Sequence, residues 1–447
     1  MLTFVHSNFL IKLQMINPEF DRSKAPLIKI PSTINIVEAQ KKLIKTGMPF
    51  YYIKKGLPNL IRLELIFDAG TTAHANQVVP NLTNSMLDEG SLKFSSSTLA
   101  DKLDFMGADL GLNTGKHTAS ISFHILDKYF DDIAEPLMDM ILNPVFPEHE
   151  FSIVKQSKLQ SFLIKSEKTE FLAAQKFNRV IFGKDHPYGK KVTKSDFLSA
   201  TPRDLFDFHA KNYKKTQPLL IVSGQLTDKH FDSIESNFDF DMEENKGFSF
   251  PKDSIRSADE KQHFVHKEGA VQASIRMGKP MINKTHPDYI KLKIANVVLG
   301  GYFGSRLMTN IREEKGYTYG IYSSIGSLFA SGYFLISAET KAESAQEAIK
   351  EIKKELKKLR TELIAEDELK TVKHYLLGSI LENFDGPEAN ADAFKSVYFY
   401  GMSYDYYREF IETLKNISPG DIRDMAQKYL QEQSMYEVIC SDKKYIR

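Results

Sequence analysis

Arg312 and Tyr319 stand seven residues apart in the run 300–320, GGYFGSRLMTNIREEKGYTYG. A guanidinium and a phenol both donate hydrogen bonds, and both suit a carbonyl oxygen or an oxyanion. Residue chemistry alone leaves a plainer reading open. An arginine near a helix end commonly meets solvent or a carboxylate, and a tyrosine after a turn is commonly half-buried. The glycines at 300–304 invite a phosphate cradle, but they lack the G-x-G-x-x-G spacing of a dinucleotide fingerprint. No Walker loop and no G-x-S-x-G elbow occurs elsewhere.

Twelve histidines call for a metal search, because zinc sites combine His, Cys and carboxylates at helical spacing. Neither H-x-x-E-H nor its inverse is present. His263 and His266 lie three apart in a strand-like run, where odd spacing sends them to opposite faces. His149, between Glu148 and Glu150, marks a helix start, where acidic residues suit the dipole. His186-Pro-Tyr-Gly189 reads as a turn, and His74 has no partner at helical spacing. Cys440 is the single cysteine, which excludes an intrachain disulfide and a cysteine-based zinc cluster.

The elements that must position these groups follow from pattern. At 447 residues the chain exceeds what one core usually organises. Its 42% hydrophobic and 26% charged content is that of an ordinary globular protein. Net charge is +1, from 59 basic and 58 acidic residues, which argues against a nucleic-acid partner. No apolar run reaches the length of a membrane span. Strands are predicted over 50–54 and 61–67, where Leu63, Leu65 and Phe67 alternate, and over 119–123. Helices are predicted from 81, 99, 129, 148 and 170.

An internal repeat organises the whole. Thr201-Pro-Arg-Asp204 and Ser418-Pro-Gly-Asp421 each open a helix that leads to a terminal strand, 217 residues apart (418 − 201). In each, a hydroxyl caps the helix, proline takes the first position, and aspartate reaches back to the cap. Upstream, the strand near 63–70 parallels 273–278. The helix from 129 parallels one opened by the capping box Ser344-Ala-Gln-Glu347, whose Ile349, Ile352, Leu356 and Leu359 share a face.

These features together resemble the pitrilysin family of zinc metallopeptidases, which includes insulin-degrading enzyme, mitochondrial processing peptidase and two-subunit bacterial relatives. The resemblance extends from about residue 34 to 441. It rests on the echoing halves, the HPYG turn, the TPRDL helix and, above all, LGGYFGSRLMTNIREEKGYTY. Active members carry H-x-x-E-H after the first strand and a further glutamate downstream. Here the matching positions are Asn81, Asn84 and Ser85, and the region of Gln160 and Ser161 offers no carboxylate. Amides and a hydroxyl are feeble zinc ligands, and Asn84 cannot take a proton from water. The resemblance implies that this chain binds no metal and does not cleave peptides alone. It also implies that Arg312 and Tyr319 complete, in trans, a zinc site carried by a partner.

The expected fold is α+β, with two homologous domains, each an antiparallel-rich sheet with helices on one side, as in mitochondrial processing peptidase. The expected boundaries are an arm at 1–33, a domain at 34–227 whose metal motif is lost, a linker at 228–261, and a domain at 262–447 bearing the Arg/Tyr pair. The expected function is a non-catalytic, substrate-binding subunit of a zinc metallopeptidase. Its partner is an H-x-x-E-H-bearing homologue or a second copy of itself, and its ligand is a peptide. The alternative is a peptidase-like scaffold with no proteolytic role. A cytoplasmic location is expected, and the natural start is either Met1 or Met15.

Overall fold

Two sheets of matching strand order carry the halves of the repeat. The computed structural model describes residues 34–45, 47–214, 216–238, 240, 248 and 254–445. The expected arm at 1–33 and both candidate starts lie outside them. The first sheet is built from β1 (Gln40–Leu43), β2 (Pro49–Ile53), β3 (Leu60–Phe67), β4 (Asp109–Thr114), β5 (Ala119–Leu126) and β6 (Leu219–Gly224). Its order is β1-β2-β6-β3-β5-β4. The second holds β7 (Gln262–His266), β8 (Gln272–Met281), β9 (Thr318–Ser327), β10 (Gly332–Lys341) and β11 (Tyr436–Ser441), in the order β7-β11-β8-β10-β9. Apart from β1, the two orders superpose strand for strand. All pairs are antiparallel except β2 with β6 and β7 with β11.

The helices of the first half are α1 (Val78–Ser85), α2 (Ser96–Met106), α3 (Ala134–Leu142), α4 (Glu148–Ser166), α5 (Thr169–Phe182), α6 (Lys194–Ser199), α7 (Pro202–His209) and α8 (Asp228–Asn237). Those of the second are α9 (Tyr289–Asn296), α10 (Ala345–Thr361), α11 (Glu366–Glu382), α12 (Gly386–Tyr398), α13 (Asp405–Asn416) and α14 (Pro419–Tyr429). Both predicted capping boxes form. Thr201 and Ser418 accept from the backbone N–H of Asp204 and Asp421, whose carboxylates accept in return. The third does not. Ser344 has helical backbone angles and caps nothing, because the chain enters α10 through a tight turn over Ala342–Ser344.

Helices cover both faces of each sheet, where one covered face was expected. The alternation over β3 marks this: all of its residues after Leu60 are buried, so its polar members Arg62 and Glu64 face a covering element too. That element is α12 of the other half. Tyr51 on β2 packs against Phe394 and Tyr398 of α12, with ring centroids 4.7 and 5.3 Å apart. Lys395 pairs with Glu64 at 2.7 Å, and Arg62 with Glu64 at 2.8 Å. Reciprocally, α5 of the first half packs on the second sheet. Ala173, Phe177, Val180, Ile181 and Phe182 form one buried cluster with Tyr188, Tyr436, Val438 and Cys440. Burying side chains such as Phe177 and Phe182 stabilises by roughly 1.5–3 kcal/mol each, so this exchange is a strong join. The HPYG turn belongs to it: the Tyr188 hydroxyl lies 2.6 Å from His117 Nε2 and accepts from Ala330 N at 3.4 Å.

The expected linker at 228–261 begins as structure of the first half. In α8, Phe231 and Ile234 are buried in the first core together with Phe238 and Phe240. Among the described residues no helix is long and apolar enough to cross a membrane.

Candidate functional site

Arg312 sits in a widened, π-helical turn over Met308–Glu314, a geometry found often at functional sites. Two other polar residues anchor this segment. Arg306 makes a paired contact with Glu368 at 2.7 and 2.8 Å, a strong bidentate arrangement. Asn310 donates to Glu351 at 3.0 Å and to Glu355 at 2.7 Å on α10. Arg312 receives no such carboxylate. Its one ion pair is with its chain neighbour Glu313, at 3.8 Å, and its guanidinium lies 4.6 Å from the ring centre of Phe303. The plain reading of a helix-end arginine bound to a carboxylate is therefore weak here, and the cation rests against the Phe303 ring instead.

Tyr319 is placed by a bulge. Gly316, with φ +65, ends the helical segment in the left-handed conformation, and Tyr317 N donates to Ile311 O at 3.0 Å. Strand β9 then pairs with β10, but the register shifts: Ile321 faces Ala338 while Thr318 faces Thr340. Tyr319 and Gly320 thus oppose the single residue Glu339, and such an extra residue re-aims a side chain. The Thr318 hydroxyl lies 2.8 Å from Gly320 O and 2.6 Å from Glu339 O, and accepts from Gly320 N at 3.0 Å. Its one proton serves one carbonyl at a time, and the bulge is held either way. The outcome is a tyrosine 94% exposed, whose hydroxyl has no partner within the described residues.

Arg312 and Tyr319 line one cavity of about 460 Å³, together with Gln272, Tyr317, Glu339 and Lys341. Burial pushes the Glu339 carboxyl up, opposed by hydrogen bonds from Ser274 at 2.7 Å and Arg276 at 2.9 Å. A second cavity of about 560 Å³ shares Gln272 and Glu339 with the first and continues to Thr169 and Glu170 at the start of α5. The two adjoin as a trench along one end of the second sheet.

Asn81, Asn84 and Ser85 lie together on α1, but they do not form a metal site. Asn84 is fully buried. Its amide donates to Asn113 O on β4 at 3.1 Å and reaches Ser120 O on β5 at 3.5 Å. Its carbonyl accepts from the hydroxyl of fully buried Tyr213 at 3.0 Å. Both the amide and the carbonyl of Asn84 are thus engaged by the protein, and neither imidazole nitrogen nor carboxylate is offered to a cation. Among the described residues, no group of three or more His, Cys, Asp or Glu is disposed to hold a metal ion. The residues present do not fit zinc.

The lock on Asn84 has a twin that sequence reading missed. Asn296, at the end of α9, donates to Ser323 O on β9 at 3.1 Å. The positions Asn84 and Asn296 are 212 apart, and their acceptors Asn113 and Ser323 are 210 apart, close to the repeat spacing of 217. That spacing was a signal available in the sequence. Phe303 and the bulge at Tyr319 had none, since both depend on contacts made only on folding.

A family model described as the peptidase M16 inactive domain matches residues 199–376. By sequence, the chain is 23% identical over 414 residues to a Helicobacter pylori protein named non-peptidase homolog YmxG, covering 90% of this chain and 94% of that one. It is 24% identical over 393 residues to an uncharacterized zinc protease of Rickettsia felis, covering 86% and 93%. By structure, it resembles a peptidase M16 inactive domain from Pseudomonas fluorescens, with a TM-score of 0.80, 24% identity, and coverage of 91% and 98%. It also resembles a protease from H. pylori, with a TM-score of 0.81, 16% identity, and coverage of 91% and 100%. At these identities the structural matches establish the fold.

Proposed function

We propose that this chain, which belongs to the M16 peptidase family as an inactive-type homologue, is the substrate-binding subunit of a two-subunit zinc metallopeptidase. In this reading a separate chain with H-x-x-E-H supplies zinc and general base. This chain supplies two donors. Arg312 and Tyr319 hold the scissile carbonyl and then the oxyanion that forms as water attacks, a role in which a single donor is worth roughly 10²–10³ in rate. The trench that continues from Tyr319 past Gln272 and Glu339 suits an extended polypeptide better than a compact ligand.

The observation that carries the reading is an asymmetry of engagement. Asn84 is bonded through both its amide and its carbonyl, whereas Tyr319 is 94% exposed with an idle hydroxyl, in the same cavity as an arginine without a close carboxylate. A residue kept only for stability has no need of such exposure. The partner is a homologue carrying the zinc motif, and a homodimer would lack the metal altogether.

The test is reconstitution. Mixing the chain with such a homologue and assaying quenched peptides should give hydrolysis that neither chain shows alone. Arg312→Ala and Tyr319→Phe should each lower kcat by about 100-fold, with the partner still bound in gel filtration. Full activity in both variants would favour the scaffold, in which the chain binds a partner without touching peptide.

A further inference from the structure

Where α5 runs past β7, further along α5 than the trench, lies a pocket of about 330 Å³ lined by Leu172, Gln175, Lys176, Arg179, Lys191 and Val265. Three of these six residues are cationic and none is acidic. Lys176 and Arg179 are three apart on α5, and so share a helix face. Lys191 comes from the segment after the HPYG turn, and Val265 from β7, an outer strand that pairs only with β11. No ion pair or side-chain hydrogen bond engages any of the three cations within the described residues.

Their neighbours behave differently. Lys267 pairs with Glu167, and Lys190 donates to Ala75 O. Three unneutralised charges around one concavity repel one another. The field reaches the strand beside them: His263 is held below its ordinary pKa first by burial and then by the charge of Lys176. A merely solvated basic face would spread its charges over a convex surface. Here they converge on a hollow with two apolar walls and one amide.

We propose that this pocket binds a small organic phosphate, its dianion held by Lys176, Arg179 and Lys191 and its organic part resting on Leu172 and Val265. A guanidinium fork with two ammonium point charges is a donor set matched to phosphate oxygens. The volume falls at the low end of ligand pockets, roughly 300–1,000 Å³, which excludes a large molecule. The site lies on the join between halves, since α5 comes from one and β7 from the other. An occupant that touches both stabilises the native chain by mass action.

Calorimetric titration of the full chain with glycerol 3-phosphate tests this, with sulfate and glycerol as references. Saturable one-to-one binding of glycerol 3-phosphate is expected, about tenfold tighter than sulfate and accompanied by a rise in melting temperature. Lys176→Gln and Arg179→Gln should each weaken it by about tenfold. Circular dichroism should not change and the unliganded melting temperature should not fall, because neither side chain has a partner to lose and each substitution removes a like charge. Equal affinity for sulfate and glycerol 3-phosphate, undiminished in both variants, would mean an adventitious ion only and would overturn the proposal. So would failure of any phosphate to saturate the site. A glutamate-rich peptide that binds where glycerol 3-phosphate does not, and is lost in the variants, would replace the phosphate site with a docking surface for acidic chain.

Discussion

Asn84 and Asn296 occupy equivalent places in the two halves, near the ends of α1 and α9, and each donates to the strand that opens the next hairpin. The amino half completes the arrangement more fully, because Tyr213 donates to the Asn84 carbonyl while the Asn296 carbonyl stays buried without a partner. The position that the resemblance would assign to a general base is here a structural peg of the kind used by the other half. The carboxy half differs in the opposite sense. Its helix over Met308–Glu314 is anchored through Arg306 and Asn310, and Arg312 and Tyr319 are left over.

The comparison can be broken most directly by activity. In the reconstituted pair, Arg312→Ala and Tyr319→Phe should each lose about two orders of magnitude in kcat. Asn81→Ala with Ser85→Ala, on the opposite half, should leave kcat within about twofold, as expected of surface changes away from the chemistry. Equal losses in both sets would erase the proposed division of labour.

Stability distinguishes the pegs. Asn84→Glu, which puts a carboxylate where the resemblance would place a base, should destabilise by about 3 kcal/mol or more in urea unfolding. The new carboxylate would face Asn113 O and Ser120 O, which can only accept. The triple variant with His at 81 and 85 should therefore gain no stoichiometric zinc. A stable, zinc-loaded triple variant would show that the amino half kept its socket after all.

Smaller effects sharpen the contrast between Tyr213 and its repeat counterpart Tyr429. Tyr213→Phe removes a fully buried bond and should lower unfolding free energy by about 1–2 kcal/mol. Tyr429 donates to Asp288 at 2.7 Å beside Lys428, nearer the surface. Tyr429→Phe should change stability by under about 0.5 kcal/mol.

The smallest effect concerns acid. Asp421 is held down to about pKa 2, first by its hydrogen bond from Lys291 and then by that from Ser418. A carboxyl whose folded pKa lies below its unfolded value stabilises the fold above the unfolded value. That contribution is lost as pH falls from about 4 to about 2. Asp421→Asn should flatten this part of the acid-unfolding curve, and Lys291→Met should do so in part. A curve unchanged by both would show that the cap contributes no charge-linked stability.

How much could be read before folding differs from one residue to the next. Thr201 with Asp204, and Ser418 with Asp421, were legible because a capping box is completed within four residues. The repeat was legible because its spacing survives in sequence. Ser344 misled for the same local reason: a tight turn ahead of α10 supplied the entry that the cap would have given. Strand β4 was missed, since Gly111 and Asn113 give it no strand character and its pairing with β5 alone sustains it. The bond that Asn84 receives from Tyr213, 129 residues away, has no local signature.

By itself the sequence determined the two-fold repeat, the absence of H-x-x-E-H and the presence of an arginine and a tyrosine seven apart. These are matters of composition and short-range order. The tertiary structure alone decided that each half lends a helix to the other's sheet, because burial under α5 and α12 joins residues hundreds of positions apart. It decided, too, the standing of the pair. A one-residue register shift between β9 and β10 turns Tyr319 out to solvent. Arg306 and Asn310 take the nearby carboxylates, and Arg312 keeps only its loose pairing with Glu313 and its contact with the Phe303 ring.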